Sequence, residues 1–362
     1  MSNIKVLHCA ETIKGGIATY LRDLLPLQRQ SWGAGSVVVL IPASQRAELV
    51  APDGVLVECY DDQGSRPLNA LRLALRVWSL YRHLRPQVIH LHSTFAGAIA
   101  RPLLWLGRCK AKVIYCAHGW AWDRPMSPFK TRLVQWFERL QAYCCDGIVC
   151  ISEHERATAL AAGLPADRLH VVTNAVAAVA PPAEPVPLPW PAGKLRMLFV
   201  GRFDRQKGID LLYQALPQLQ DDVFALLAGG AVLADSELPP PPANAAELGW
   251  LTPGQLQTLF AEADLLVVPS RWEGFGLIAT EAMRASLAVL ASRVGGLGEI
   301  VVDGQTGALV EPGDATALVS AVRRYSREQW QQMGRAGRQR FEQQFVMERL
   351  HRQLANCYRL SI

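Results

Sequence analysis

The sequence predicts an α/β protein built from two doubly wound, parallel-sheet domains that face one another across a cleft. Three observations predict it. Short apolar, β-branched runs alternate with helical stretches, the pattern of a parallel sheet covered on both faces. Six prolines fall within residues 181–191, which excludes a helix or a central strand there and marks a stiff linker. Beyond that linker the alternation begins again, and a gap between two domains is a favoured ligand site. The 362 residues, half of them hydrophobic and 19% charged, suffice for two such domains.

In chain order, residues 5–10 read as the first strand, then Glu11-Thr12-Ile13-Lys14-Gly15-Gly16, then a helix over about 17–28. Residues 37–41 are a second strand and 68–84 a basic amphipathic helix. Residues 88–92, 113–117, 147–151 and 169–173 are further strands. After the linker come a strand at 196–201, a helix from about Gly208, and strands at 223–228, 265–268 and 288–291. The division expected is a first domain over 1–178, the linker over 179–194, a second domain over 195–340 and a C-terminal helix over 341–362.

Net charge is +5 but unevenly spread. Residues 66–139 hold thirteen basic residues against two acids, Asp123 and Glu138, a net +11. Trp78, Trp105, Trp120, Trp122, Trp136 and Phe137 are interleaved with them. Such a window suits an anionic membrane surface. It also suits a solvated basic face over core tryptophans, or nucleic acid, though no nucleic-acid motif accompanies it. None of the eight cysteines forms a C-x-x-C pair, so reduced thiols in a cytosolic protein are expected and zinc is not. Met1-Ser2-Asn3-Ile4-Lys5 lacks the apolar core of a leader. No apolar run approaches the roughly 18–20 residues needed to span a bilayer.

The most informative stretch is Glu273-Gly274-Phe275-Gly276-Leu277-Ile278-Ala279-Thr280-Glu281. It follows a buried-strand pattern ending in Pro269-Ser270 and reads as a glycine-softened turn feeding a helix. Backbone N–H groups at a helix start suit a phosphate. The flanking carboxylates instead accept from hydroxyls. An anion cradle beside hydroxyl acceptors describes a nucleotide-sugar site. Gly201-Arg202-Phe203-Asp204-Arg205-Gln206-Lys207-Gly208 adds two cations after a strand. Arg forks onto phosphate and Lys adds a point charge, although both also occur as plain surface cations. Gly15-Gly16 lets backbone approach a phosphate, or is an ordinary turn. His118 follows an apolar strand and is either a group near the chemistry or a capped loop residue. Gly295-Gly296-Leu297-Gly298 and Gly304-Gln305-Thr306-Gly307 are turn formers or part of the same loop shell.

Together these motifs resemble the retaining nucleotide-sugar glycosyltransferases of family 4, whose GT-B fold pairs two Rossmann-like domains. The resemblance covers nearly the whole chain and is strongest over residues 200–313. It implies that Arg202 and Lys207 hold the donor diphosphate, with Gly201 beside them and Gly15 and Gly16 approaching from the other domain. Glu273 would face sugar hydroxyls and Glu281 the ribose. Phe275, Gly276 and Leu277 would present backbone amides, and His118 would lie beside the transferred sugar. Ala228-Gly229-Gly230-Ala231 stands where the family often has Gly-Asp-Gly-Pro, and Thr173-Asn174-Ala175 where it has Pro-Asn-Gly. Pro239-Pro240-Pro241-Pro242 and the segment before it are also unusual.

The activity implied is sugar transfer from a nucleotide diphosphate to an acceptor hydroxyl, with retention. A lipid-linked glycan in surface polysaccharide or lipopolysaccharide assembly is the implied acceptor. The expected place is the cytoplasm or the inner face of the plasma membrane, docked through residues 66–139. No cofactor is expected, and no essential metal, because Asp61-Asp62 and Asp221-Asp222 are adjacent pairs rather than a D-x-D motif. A sugar-nucleotide epimerase on the same architecture, or a non-catalytic scaffold that binds sugar nucleotides or nucleic acid, are the alternatives.

Overall fold

A computed structural model describes residues 4–231 and 239–362. Met1-Ser2-Asn3, on which part of the leader expectation falls, and residues 232–238, ahead of the four-proline run, lie outside the described residues. The chain divides into two compact units: Met1–Ala177 with Met347–Ile362, and Ala178–Val346.

Unit 1 carries strands β1 (Val6–Ala10), β2 (Val37–Pro42), β3 (Leu56–Tyr60), β4 (Val88–His92), β5 (Lys112–Cys116), β6 (Gly147–Cys150) and β7 (Leu169–Val171). Its helices are α1 (Gly16–Trp32), α2 (Arg66–Leu84), α3 (Thr94–Leu106), α4 (Pro128–Gln141) and α5 (Glu153–Ala161). The sheet is parallel, in the order β3-β2-β1-β4-β5-β6-β7. β1, β2 and β4 are buried along their whole length, which is why they read as continuous apolar runs rather than as alternation.

Unit 2 carries β8 (Leu195–Arg202), β9 (Val223–Gly230), β10 (Ala245–Gly249), β11 (Leu265–Val268), β12 (Ala288–Ser292) and β13 (Gly307–Val310), ordered β10-β9-β8-β11-β12-β13 and again parallel. Helices α6 (Ile209–Ala215), α7 (Pro253–Glu262), α8 (Leu277–Arg284), α9 (Leu297–Ile300), α10 (Ala315–Arg324) and α11 (Arg327–Gln344) accompany them. In each sheet the strand order reverses at its first strand, between β1 and β4 and between β8 and β11. The carboxyl ends beside such a reversal are where open α/β sheets bind ligands.

The expected C-terminal helix over 341–362 is corrected. Phe341 belongs to α11 and is wholly buried. Phe345 then packs edge-on against Phe275 at 6.0 Å, which keeps this stretch in unit 2. A new helix, α12 (Met347–Tyr358), starts as the chain joins unit 1, where the Met347 N–H donates to Val176 O at 3.1 Å.

Candidate functional site

In unit 2 the loops after β8 and β11 are stitched together. The Arg271 N–H donates to Gln206 O at 2.8 Å, and Gln206 Nε2 donates to Trp272 O at 3.3 Å. Arg271 also forks onto the Asp210 carboxylate with two bonds of 2.6 Å. Gly208 fits the joint because it takes φ 70° and because a Cβ there would run into the Pro269 carbonyl oxygen. The result is direct contact between two of the expected residues: Lys207 Nζ donates to Glu273 Oε2. The Ser270 hydroxyl lies 3.4 Å from the same oxygen. Arg202 stands apart from this pair, held by Asp204 at 3.1 Å and Gln206 at 2.8 Å.

Past Glu273 the chain turns through Gly276, in left-handed conformation at φ 100°, and enters α8 at Leu277 with no side chain capping the helix start. Uncapped N–H groups at a helix start are suited to an anion. The Gly296 N–H donates to Gly274 O at 3.1 Å, so the glycine turn after β12 backs the Glu273 loop. The Phe275 side chain is core, 3% exposed, leaving only its backbone for a ligand. Glu281 is half-buried one turn into α8.

Unit 1 holds the other expected residues. Gly15, at φ 76°, precedes α1 without a side-chain cap, and that first turn has no acidic residue. Tyr20, on the next turn, sets its ring edge-on to His118 at 5.1 Å. His118 adopts φ 56°, unusual for a residue with a side chain. Its Nε2 bonds His92 Nδ1 at 2.8 Å, and His92 Nε2 bonds His8 Nδ1 at 2.9 Å. Burial pushes His118 and His8 down to about 4, and His90 and His92 well below the usual histidine range. Sequence reasoning missed His8, His90 and His92. The signal available was His-x-His in a buried strand, which puts two imidazoles on one sheet face. His8, His90 and His92 offer ring nitrogens within 4.8 Å of one another, the one such group found among the described residues that could take a metal ion. Two of those nitrogens already bond each other.

The basic window divides between its readings. Trp120 is core, 1% exposed and stacked on Trp122 at 4.5 Å. Arg101 is wholly buried, paired with Glu138 at 2.6 Å, with its guanidinium 3.9 Å from the Tyr115 ring centroid. This inverts α4. Its buried residues are Glu138 and Gln141, while Phe129, Leu133, Trp136, Phe137 and Leu140 are exposed. Lys130, Arg132 and Arg139 are exposed on the same helix. Trp105 and Leu106 add apolar surface at the end of α3, which packs on α4. No described helix is long and apolar enough to cross a membrane.

Comparison with known proteins supplies the family. Residues 15–175 match the "Glycosyl transferase 4-like domain" and residues 182–340 match "Glycosyl transferases group 1". A 41.2 kDa protein of the cps region of Klebsiella pneumoniae is 31% identical, covering 93% of this chain and 94% of that one. The alpha-maltose-1-phosphate synthase of Mycolicibacterium smegmatis is 30% identical over 65% of this chain and 70% of its own. Among solved structures, Anabaena HepE in complex with UDP superposes with TM-score 0.78 at 19% identity, covering 98% of this chain and 99% of that one. HepE has also been solved with UDP-glucose. On these grounds the chain belongs to the group 1 glycosyltransferases, with two Rossmann-like domains of the GT-B type.

Proposed function

We propose that the chain is a retaining hexosyltransferase that moves a sugar from a nucleotide diphosphate to a hydroxyl of a glycan or lipid-linked acceptor. The observation that carries this reading is the Lys207–Glu273 contact, in the loops that lead from β8 and into the uncapped start of α8. A cation that can turn to a diphosphate is paired with a carboxylate that can accept from sugar hydroxyls. In the proposed reaction the bond from sugar C1 to the diphosphate oxygen breaks, and a bond from C1 to the acceptor oxygen forms on the same face. The departing phosphate oxygen takes the acceptor's proton. Negative charge grows on the diphosphate as that bond breaks, and fixed donors aimed at growing charge are the largest catalytic contribution in many enzymes. Arg202, Lys207 and the amides of Gly276 and Leu277 are assigned that role. Glu273 is assigned to sugar hydroxyls, Glu281 to the ribose, and His118 to the sugar. Gly15 and Gly16, at the uncapped start of α1, are assigned to phosphate. None of these roles calls for a metal.

Thermal shift against a panel of nucleotide sugars tests the donor, since a ligand that binds only the folded state raises the midpoint. Proton NMR of the product then reads the anomeric configuration. No shift with any nucleotide diphosphate sugar overturns the reading, and an inverted product overturns retention.

The setting we propose is the cytoplasmic face of a membrane, in surface polysaccharide or lipopolysaccharide assembly. The cps-region relative supports the polysaccharide part. The outward apolar face of α4, flanked by exposed cations, supports docking on anionic lipid.

A further inference from the structure

Three side chains lead through the interior of unit 1 to His118. Gln28 on α1, His8 on β1 and His92 on β4 are each wholly buried. Gln28 Oε1 lies 2.8 Å from His8 Nε2, His8 Nδ1 lies 2.9 Å from His92 Nε2, and His92 Nδ1 lies 2.8 Å from His118 Nε2. A neutral imidazole has one donor nitrogen and one acceptor nitrogen. The depressed pKa values of His8, His92 and His118 make all three rings neutral near neutral pH. In such a chain, fixing one proton fixes all of them.

In the amide orientation of the structure Gln28 offers His8 its carbonyl oxygen, which only accepts, and this places the proton of His8 on Nε2. His8 Nδ1 then accepts from His92 Nε2–H, and His92 Nδ1 accepts from His118 Nε2–H. The last atom, His118 Nδ1, is left as a bare lone pair. It makes no hydrogen bond among the described residues, and His118 is only half-buried where its three predecessors are sealed. Ring packing holds the geometry: His92 and His118 stack at 5.1 Å, and Tyr20 stands edge-on to both. The Gly119 N–H, bonded to Glu155 Oε1 at 2.7 Å, holds the turn that carries His118 in its left-handed conformation. Backbone strain of this kind persists where the surroundings over-determine it, commonly at functional sites.

We propose that Gln28, His8 and His92 are positioning residues, a one-way hydrogen-bond chain that holds His118 as its Nε2–H tautomer and presents a bare Nδ1 to a substrate hydroxyl. The proposal rests on the assignment of His118 to the sugar. It adds a selection rule: His118 accepts, so the group it meets must carry an O–H, and a carbonyl or phosphate oxygen there is disfavoured.

The test uses the full chain with isotope-labelled histidine at mildly alkaline pH. The nitrogen shifts of His118 are expected to show Nε2 protonated and Nδ1 bare. Gln28→Leu, which touches no substrate, should mix or reverse that tautomer. It should also lower kcat by about 10–100-fold, taking as the scale the loss of a group that orients a metal-bound histidine, with donor KM little changed. Gln28→Glu keeps an acceptor oxygen and should restore both tautomer and rate. Should Gln28→Leu fail to fold, His8→Phe takes its place. A wild-type His118 protonated on Nδ1, or a Gln28→Leu protein with unchanged His118 shifts and rate, overturns the proposal. His118→Ala, assayed in parallel, separates the two readings: full turnover there removes the sugar-side role, while the tautomer spectrum decides the chain by itself.

Discussion

Replacing each partner of the Lys207–Glu273 pair should give opposite effects on diphosphate binding. Their side chains are 21% and 13% exposed, so the pair is mostly screened from water without being sealed. Two unit charges about 4 Å apart at an effective dielectric of about 20 attract by about 4 kcal/mol. Part of that attraction is cancelled by the desolvation of both groups. Lys207→Ala removes a charge assigned to the leaving group and strands the Glu273 carboxylate. Loss of one oxyanion-type donor costs about 2.7–4 kcal/mol, or about 100–1,000-fold in turnover, and affinity for the nucleoside diphosphate should fall as well. Glu273→Gln should lower turnover by 100-fold or more on the same scale. Unlike Lys207→Ala, it frees Lys207, so affinity for the diphosphate without its sugar should hold or improve. Steady-state kinetics and calorimetric titration with the diphosphate give both quantities. Near-normal turnover in Lys207→Ala, or equal loss of diphosphate affinity in both variants, would refute the assignment.

Four further outcomes are expected. Gly208→Ala should weaken donor binding without loss of fold, because its Cβ meets the Pro269 carbonyl oxygen at the joint that carries Lys207; donor thermal shift reads it. Glu138→Ala should destabilise the protein by about 3–5 kcal/mol in urea, since it leaves Arg101 buried and uncompensated, whereas Arg101→Met with Glu138→Leu should recover most of that. Trp136→Ser with Phe129→Ser should abolish sedimentation with anionic vesicles while leaving turnover on a soluble acceptor intact; undiminished sedimentation would remove the docking face. The buried histidines should make stability depend on pH. Unfolded histidine binds its proton near 6.5, whereas folded His8 and His118 do so only at about 4. Between those values the unfolded state holds more protons, so stability is complete above 6.5 and is lost as pH falls toward 4. Each such histidine contributes about 1.4 kcal/mol per pH unit, and a flat urea midpoint between pH 6.5 and 5 would contradict the burial.

The sequence made the interior strands legible because burial on both faces leaves no choice of residue type. Val37-Val38-Val39-Leu40-Ile41 and Leu265-Leu266-Val267-Val268 are such runs. Three strands it left unread, β3, β10 and β13, all lie at sheet edges. β3 and β10 are largely half-exposed and so carry a weak pattern, while β13 is only four residues long and starts at a glycine. Glycine spacing pointed to the Lys207 and Glu273 loops, but the bond between those side chains depends on how β8 and β11 lie side by side, and no local pattern encodes that. The same holds for the histidine chain, whose members come from β1, β4 and the loop after β5. α4 is open in another way: the sequence allows Trp136 and Phe137 to face a membrane or the core, and the helix exposes them and turns Glu138 inward because Arg101 lies beneath it.

The self-pairing of the donor loop has a consequence for selectivity. With Lys207 bonded to Glu273, the loop presents less net positive charge than its sequence suggests. A free phosphate competing for Lys207 must break that pair and leave the carboxylate beside a second anion. On the proposed assignment, a sugar diphosphate would break the same pair but bring hydroxyls that satisfy Glu273. The cost is therefore offset only by a ligand carrying both groups, and a half-buried carboxylate that loses its lysine donor is the kind of loss that makes polar sites reject incomplete ligands. Inorganic phosphate and pyrophosphate should consequently be poor competitors of the donor in the wild type. In Glu273→Gln they should become better competitors, because the neutral amide no longer repels them and Lys207 stands free.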